Sequence, residues 1–136
     1  MLKIYTTVLM LFFAFTPGVQ AGEFLTGDQA KALFMDKTFD GSYTKKGKKK
    51  VFWAYEAPDG GHHVLRPNGK TDKGRQWSVE DDGKHCTTSK KWDGPRCSRV
   101  KDVGGGEYHK VDDKGKHTHT LTNFRDGNQL KSVSLN

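Results

Sequence analysis

Val51-Phe52-Trp53-Ala54-Tyr55-Glu56, running into Ala57-Pro58-Asp59-Gly60, decides the fold class of this chain. Val51, Trp53 and Tyr55 alternate with Phe52, Ala54 and Glu56. A period of two belongs to a strand, whose successive side chains point to opposite faces of a sheet. The run ends at Asp59-Gly60, a dipeptide that favours the positive φ angles of a tight reversal.

The same grammar repeats in both directions. Trp77 and Val79 alternate with Gln76, Ser78 and Glu80. Asn68-Gly69, Asp82-Gly83, Asp93-Gly94 and Asp126-Gly127 repeat the turn, and glycines recur at positions 47, 60, 69, 83, 94, 105, 115 and 127. Strands are predicted near 38–44, 50–57, 62–66, 73–80, 84–89, 96–101, 107–111 and 116–124, with 129–135 as a ninth. Short connections pair sequential neighbours, so the expected fold is mainly β: an antiparallel up-and-down meander, or a calycin-like barrel of eight or nine strands whose closure removes exposed edges. No helix-length periodic segment interrupts the series, which argues against a parallel βαβ sheet.

One short helix precedes the strands. Thr26-x-x-Gln29 is a capping-box pattern, Leu25 is placed as a hydrophobic staple, and residues 29–35 hold good helix formers. A helix over 27–35 is expected, too short to persist unless Leu33 and Phe34 dock it on the sheet, where it plugs or flanks one end.

The first 21 residues read as a cleaved export signal. Lys3 supplies a charge, residues 4–15 are almost wholly apolar, and Val19-Gln20-Ala21 offers small residues for cleavage. The apolar run is shorter than a membrane span of ~20 residues, and no second one follows, so no transmembrane span is expected in the mature chain. Removing 21 of 136 residues leaves 115, a single β-barrel-like domain over 22–136 that works in the periplasm or is secreted. Only 18 of those 115 residues are Leu, Ile, Val or Phe. Eleven aromatics, Trp53, Trp77 and Trp92 among them, have to supply much of the core. Trp53, Tyr55 and Trp77 are expected inside, filling the interior more readily than lining a small cavity. Cys86 and Cys97, the only cysteines, are expected to form a disulfide in an oxidising compartment.

Leu25-Thr26-Gly27, Lys37-Thr38-Phe39-Asp40-Gly41, Tyr55-Glu56-Ala57-Pro58-Asp59-Gly60 and Gly74-Arg75-Gln76-Trp77-Ser78-Val79, followed by the two cysteines and Val100, resemble in their order a family of small exported proteobacterial proteins of unknown function. The Gly-x-Trp strand followed by two cysteines is also similar to small calycin-like barrels, some of which inhibit proteases. The first resemblance rests on turns and core positions and the second on one strand and a spacing; both imply a fold, and neither implies a chemistry.

The functional residues are read from charge and spacing. Without Lys3 the chain carries 22 basic and 16 acidic side chains, a net +6, which draws it to anionic partners. Lys45-Lys46-Gly47-Lys48-Lys49-Lys50 concentrates that charge at a predicted hairpin tip. The expected function is non-enzymatic binding of an anionic envelope component or protein through Lys45, Lys46, Lys48, Lys49 and Lys50. The bland reading of the same run is a solvated turn whose lysines deter edge pairing. Nucleic acid is not an expected partner outside the cytoplasm. An alternative is an inhibitor of a protease or lysozyme, with Trp92 in the disulfide loop as its anchor. A second is a metal or haem protein using His117 and His119, two residues apart on one strand. In the expected hairpin Val111 faces Lys116, Lys110 faces His117 and Tyr108 faces His119, which leaves His109 on the other side and weakens the metal reading; a slip of one residue reverses that. No cofactor and no enzyme activity are expected: Asp81-Asp82 and Asp112-Asp113 precede turn glycines, and no G-x-S-x-G or H-E-x-x-H motif is present.

Overall fold

The computed structural model describes residues 22–135; the expected export signal lies outside the described residues. The chain forms α1 (Gly27–Phe34), then β1 (Lys37–Lys45), β2 (Lys48–Glu56), β3 (His62–Leu65), β4 (Thr71–Asp72), β5 (Arg75–Val79), β6 (His85–Ser89), β7 (Arg96–Gly104), β8 (Glu107–Val111) and β9 (His117–Asp126). These nine antiparallel strands form a nearly closed barrel in the order β4-β3-β2-β1-β9-β8-β7-β6-β5. Every pair of strands consecutive in sequence is hydrogen-bonded except β4 and β5, and β1 pairs with β9 to join the two ends of the meander.

The seam falls in mid-chain, between β4 and β5. The expected strand over 73–80 forms as residues 75–79 and pairs with β6, while Thr71 and Asp72, expected in a connection, turn back onto β3 as a short extra strand. A bridge between Gly61 and Gln76 and a bond from the Trp77 amide to the Gly60 carbonyl (2.9 Å) tie β5 to the start of β3. The expected ninth strand over 129–135 does not form. Both edges of β1 are taken, so the tail finds no edge to join. It makes a 3₁₀ turn at Leu130–Ser132 against β2, held by Thr38, whose hydroxyl donates to the Gly127 carbonyl (2.7 Å) and accepts from the Gln129 amide (2.9 Å).

α1 is capped as its sequence predicts. The Thr26 hydroxyl accepts from the Gln29 amide (3.3 Å), and the Gln29 side chain accepts from the Thr26 amide (2.9 Å). The helix ends one residue early because Met35 is already extended. Phe34 is fully buried, stacked on His85 (4.1 Å) and edge-on to Phe39 and Phe124 (5.6 and 5.7 Å), so the helix plugs one end of the barrel. The core continues through Phe39, Ala54, Val64, Trp77, Val100 and Leu121. Trp77 is buried as expected, its indole N–H donating to the Ala57 carbonyl (2.8 Å).

Strand β2 corrects the expectation for Trp53 and Tyr55. Its inward set is Phe52, Ala54 and Glu56; Ala54 and Glu56 are completely buried, while Val51 is 41% exposed. Trp53 and Tyr55 lie on the outer face, where Tyr55 stacks on His63 and donates to the Asp36 carboxylate. Phe52 reaches inward because Gly41, opposite it on β1, has no side chain; a Cβ there would come within 2.1 Å of the ring. The aromatic outer face is tolerated because the tail lies against that strand. Cys86 and Cys97 face each other on β6 and β7 and are joined by the expected disulfide. Among the described residues no helix is long and apolar enough to cross a membrane.

Candidate functional site

The end of the barrel opposite α1 is not filled. Small inward residues and long cationic ones leave a cavity of about 450 Å³, within the usual range for a small-molecule site. Its lower wall is apolar, with Phe39, Phe52, Val64 and Leu121. Its upper wall is basic. Arg66 follows β3, Arg75 opens β5, Arg96 opens β7 and Lys110 projects from β8. The predicted filling by aromatics therefore holds only toward the helix end.

Arg66 and Arg75 share one carboxylate. Asp72 accepts from Arg66 Nη2 at 2.7 Å and pairs with Arg75 Nη1 at 2.8 Å. Burial pushes the Asp72 carboxyl up, but the Arg66 hydrogen bond and the two guanidinium charges outweigh it and hold the group below its ordinary value. Arg96 has no such partner. Its guanidinium lies 3.8 Å over the Trp92 ring, with Arg75 4.8 Å over the same ring. Among the described residues neither Arg96 nor Lys110 is paired with a carboxylate.

Lys110 joins this wall to a buried polar chain. Glu56 Oε1 is hydrogen-bonded to His62 Nδ1, and Glu56 Oε2 stands 3.7 Å from His85 Nε2. Lys110 Nζ donates to His85 Nδ1 at 3.1 Å, so the other ring nitrogen, Nε2, carries the proton and faces Glu56. Among the described residues, Glu56 Oε2 and His85 Nε2 are buried without a hydrogen-bond partner. Burial opposes ionisation of Glu56, yet the hydrogen bond from His62 and the nearby His85 ring carry its carboxyl down to about 2. Burial, then the charge of Lys110, drives His85 down to about 4. Burial also brings the Lys110 ammonium down to about 8.

The predicted lysines form the β1–β2 hairpin. Lys46 and Gly47 supply its tip, both with positive φ (51° and 74°), and residues 45, 46, 48, 49 and 50 are all exposed. Lys45 also lines the cavity, so this hairpin stands on its rim. Trp92 is half-buried between two guanidinium groups at the same mouth and is not presented freely on a loop.

The register of β8 and β9 differs from the expected one. Val111 faces His117 and Lys110 faces His119, with a bulge between the two pairs. The cause is the turn: Asp112 accepts from the amides of Lys114 and Lys116 (both 2.9 Å), and the Asp112 amide bonds the Lys116 carbonyl, so the strands start one residue further out. His109 therefore stacks on His117 (3.9 Å between centroids), whereas His119 packs against Tyr43 and Phe52 and lines the cavity. Burial is the largest of the effects that lower His119, to about 4. Among the described residues, one group of three potential metal ligands lies close together, Glu80, Cys86 and Cys97, and both sulfurs are already in the disulfide.

Arg66, Arg75, Arg96, Glu56, His62, His85 and Lys110 were not legible as a site in the sequence. The one available signal was Glu56, a carboxylate in phase with Phe52 and Ala54. Compared with known proteins, the chain matches no family model, no curated protein and no solved structure.

Proposed function

We propose that this protein is a non-enzymatic binding protein for an anionic compound with an apolar or aromatic part, taken into the open end of the barrel. The observation that carries the reading is the pair of cations, Arg96 and Lys110, that line a cavity of about 450 Å³ and have no carboxylate partner among the described residues. Lys110 is withdrawn from water, and a buried cation left without a counter-charge is costly, a cost that an incoming anion relieves; Arg96 is exposed at the mouth, over Trp92, where it can meet the anion first. The phenylalanines and Leu121 supply the apolar contact. The exposed lysines 45, 46, 48, 49 and 50 at the rim raise the local concentration of anions and speed their capture. With the export signal read in residues 1–21, the ligand is an envelope component or a molecule met in the periplasm or outside the cell.

Titrating the mature domain with an aromatic sulfonate, anilinonaphthalene sulfonate, and with its neutral parent amine tests this. Saturable binding of the sulfonate is expected, weaker by about tenfold or more in Arg96→Gln, since hydrogen bonds to charged groups contribute ~1.5–3 kcal/mol. Replacing the five lysines with serine is expected to slow association at low salt and to lessen its salt dependence. Equal binding of the neutral amine, or an unchanged Arg96→Gln, overturns the reading.

A further inference from the structure

Lys110 differs in kind from the other lysines at this end of the barrel. Its Nζ is held by a histidine nitrogen, and among the described residues no carboxylate pairs with it. A lysine locked in an ion pair keeps its proton and is a poor nucleophile; one desolvated without a counter-charge gives up its proton more readily. The titratable groups around Lys110 are His85 on β6, His119 opposite it on β9, and Glu56 on β2, the last beyond His85. Burial outweighs the attraction of Glu56, and an ammonium brought down to about 8 is uncharged in roughly a quarter of molecules at pH 7.5. The amine lines the cavity beside Phe52 and Leu121, set back from its open mouth.

We propose that Lys110 is a covalent attachment point for a carbonyl-bearing ligand, an aldehyde or ketone, held in the barrel as a Schiff base. The proposal rests on the cavity being a ligand site and adds the chemical class of the ligand. In the step, the uncharged amine donates its lone pair to the carbonyl carbon and the carbonyl π pair moves to oxygen. A proton passes from nitrogen to oxygen to give the carbinolamine. The hydroxyl then leaves as water with the second nitrogen proton, and a C=N bond replaces C=O; nothing is oxidised or reduced. Protons travel to and from solvent through the open mouth. His85 is a positioning residue that holds Nζ by accepting one of its hydrogens. The exposed lysines 45–50 have the same amine without the enclosure that slows hydrolysis of the imine.

The test uses 4-formylbenzoate, which carries both an aldehyde and an anion. The mature protein is incubated with it and cyanoborohydride at pH 7.5, with and without excess benzoate, and the modified lysines are mapped by peptide mass spectrometry. Lys110 is expected to be labelled at least tenfold ahead of any lysine in 45–50, with benzoate suppressing that label alone. Lys110→Arg is expected to abolish it. If that variant misfolds, the map of the wild-type protein decides by itself. Label spread over exposed lysines with Lys110 spared overturns the proposal. If 4-formylbenzoate then still binds saturably and reversibly, the anion-binding reading survives and only covalent capture fails; if it neither binds nor labels, both fail.

Discussion

Replacing Glu56 with glutamine perturbs the most buried charge in the barrel. The carboxylate is completely inaccessible, is bonded to His62 and lies 3.7 Å from His85. Its folded pKa of about 2, against 4.5 for the ordinary group, is worth about 3 kcal/mol at neutral pH, at ~1.4 kcal/mol per unit. Loss of one partner from a buried pair independently costs ~3–5 kcal/mol. Glutamine keeps the shape and removes the charge, so Glu56→Gln is expected to lower the urea unfolding free energy by about 3 kcal/mol at pH 7. Because the folded pKa is depressed, this contribution is present above pH 4.5 and is lost as pH falls toward 2. The gap between wild type and variant therefore narrows to roughly 1 kcal/mol at pH 3. His85 and His119, each lowered from 6.5 to about 4, act in a separate window. There the unfolded chain binds more protons, so both proteins lose stability on acidification from pH 6.5 to 4, by up to ~1.4 kcal/mol per pH unit for each histidine. Urea titrations at pH 7, 5, 4 and 3 read all of this. A difference below about 1 kcal/mol at pH 7, or one that does not shrink in acid, refutes the assignment of Glu56 as a paired buried carboxylate.

Two further outcomes are expected. Replacing Cys86 and Cys97 together with serine removes a cross-link between residues 11 apart and should cost about 3 kcal/mol in the chain-entropy account, seen as a lower urea midpoint; an unchanged midpoint contradicts it. Gly83→Ala places a Cβ 2.1 Å from the Leu25 carbonyl at a φ of +92°, and should cost at least ~2 kcal/mol and speed hydrogen exchange at the Leu25 amide, which bonds to Val100. Gly94→Ala, with open space around it, serves as the control and should change little.

The eight strands that the turns delimit, the capped helix and the disulfide were all legible because each depends on neighbours close in sequence or on a single available partner. The site was not. Alternation in 51–56 showed two faces without saying which one points inward, and the face that looked more aromatic is the outer one. Asp112 reads as a turn former, yet its carboxylate also shifts the β8–β9 register and so sends His119 into the cavity and His117 to the surface. Arg66, just past β3, and Arg75, Arg96 and Lys110, on three other strands, look in sequence like ordinary exposed cations.

By itself the sequence determined where the chain bends and where it extends, because glycine angles, side-chain caps and two-residue periodicity act over a few bonds. Only the tertiary structure decided which residues share the interior. Closing a curved sheet fixes inside and outside for every strand at once, and it sets Lys110 beside His85, 25 residues away in the chain.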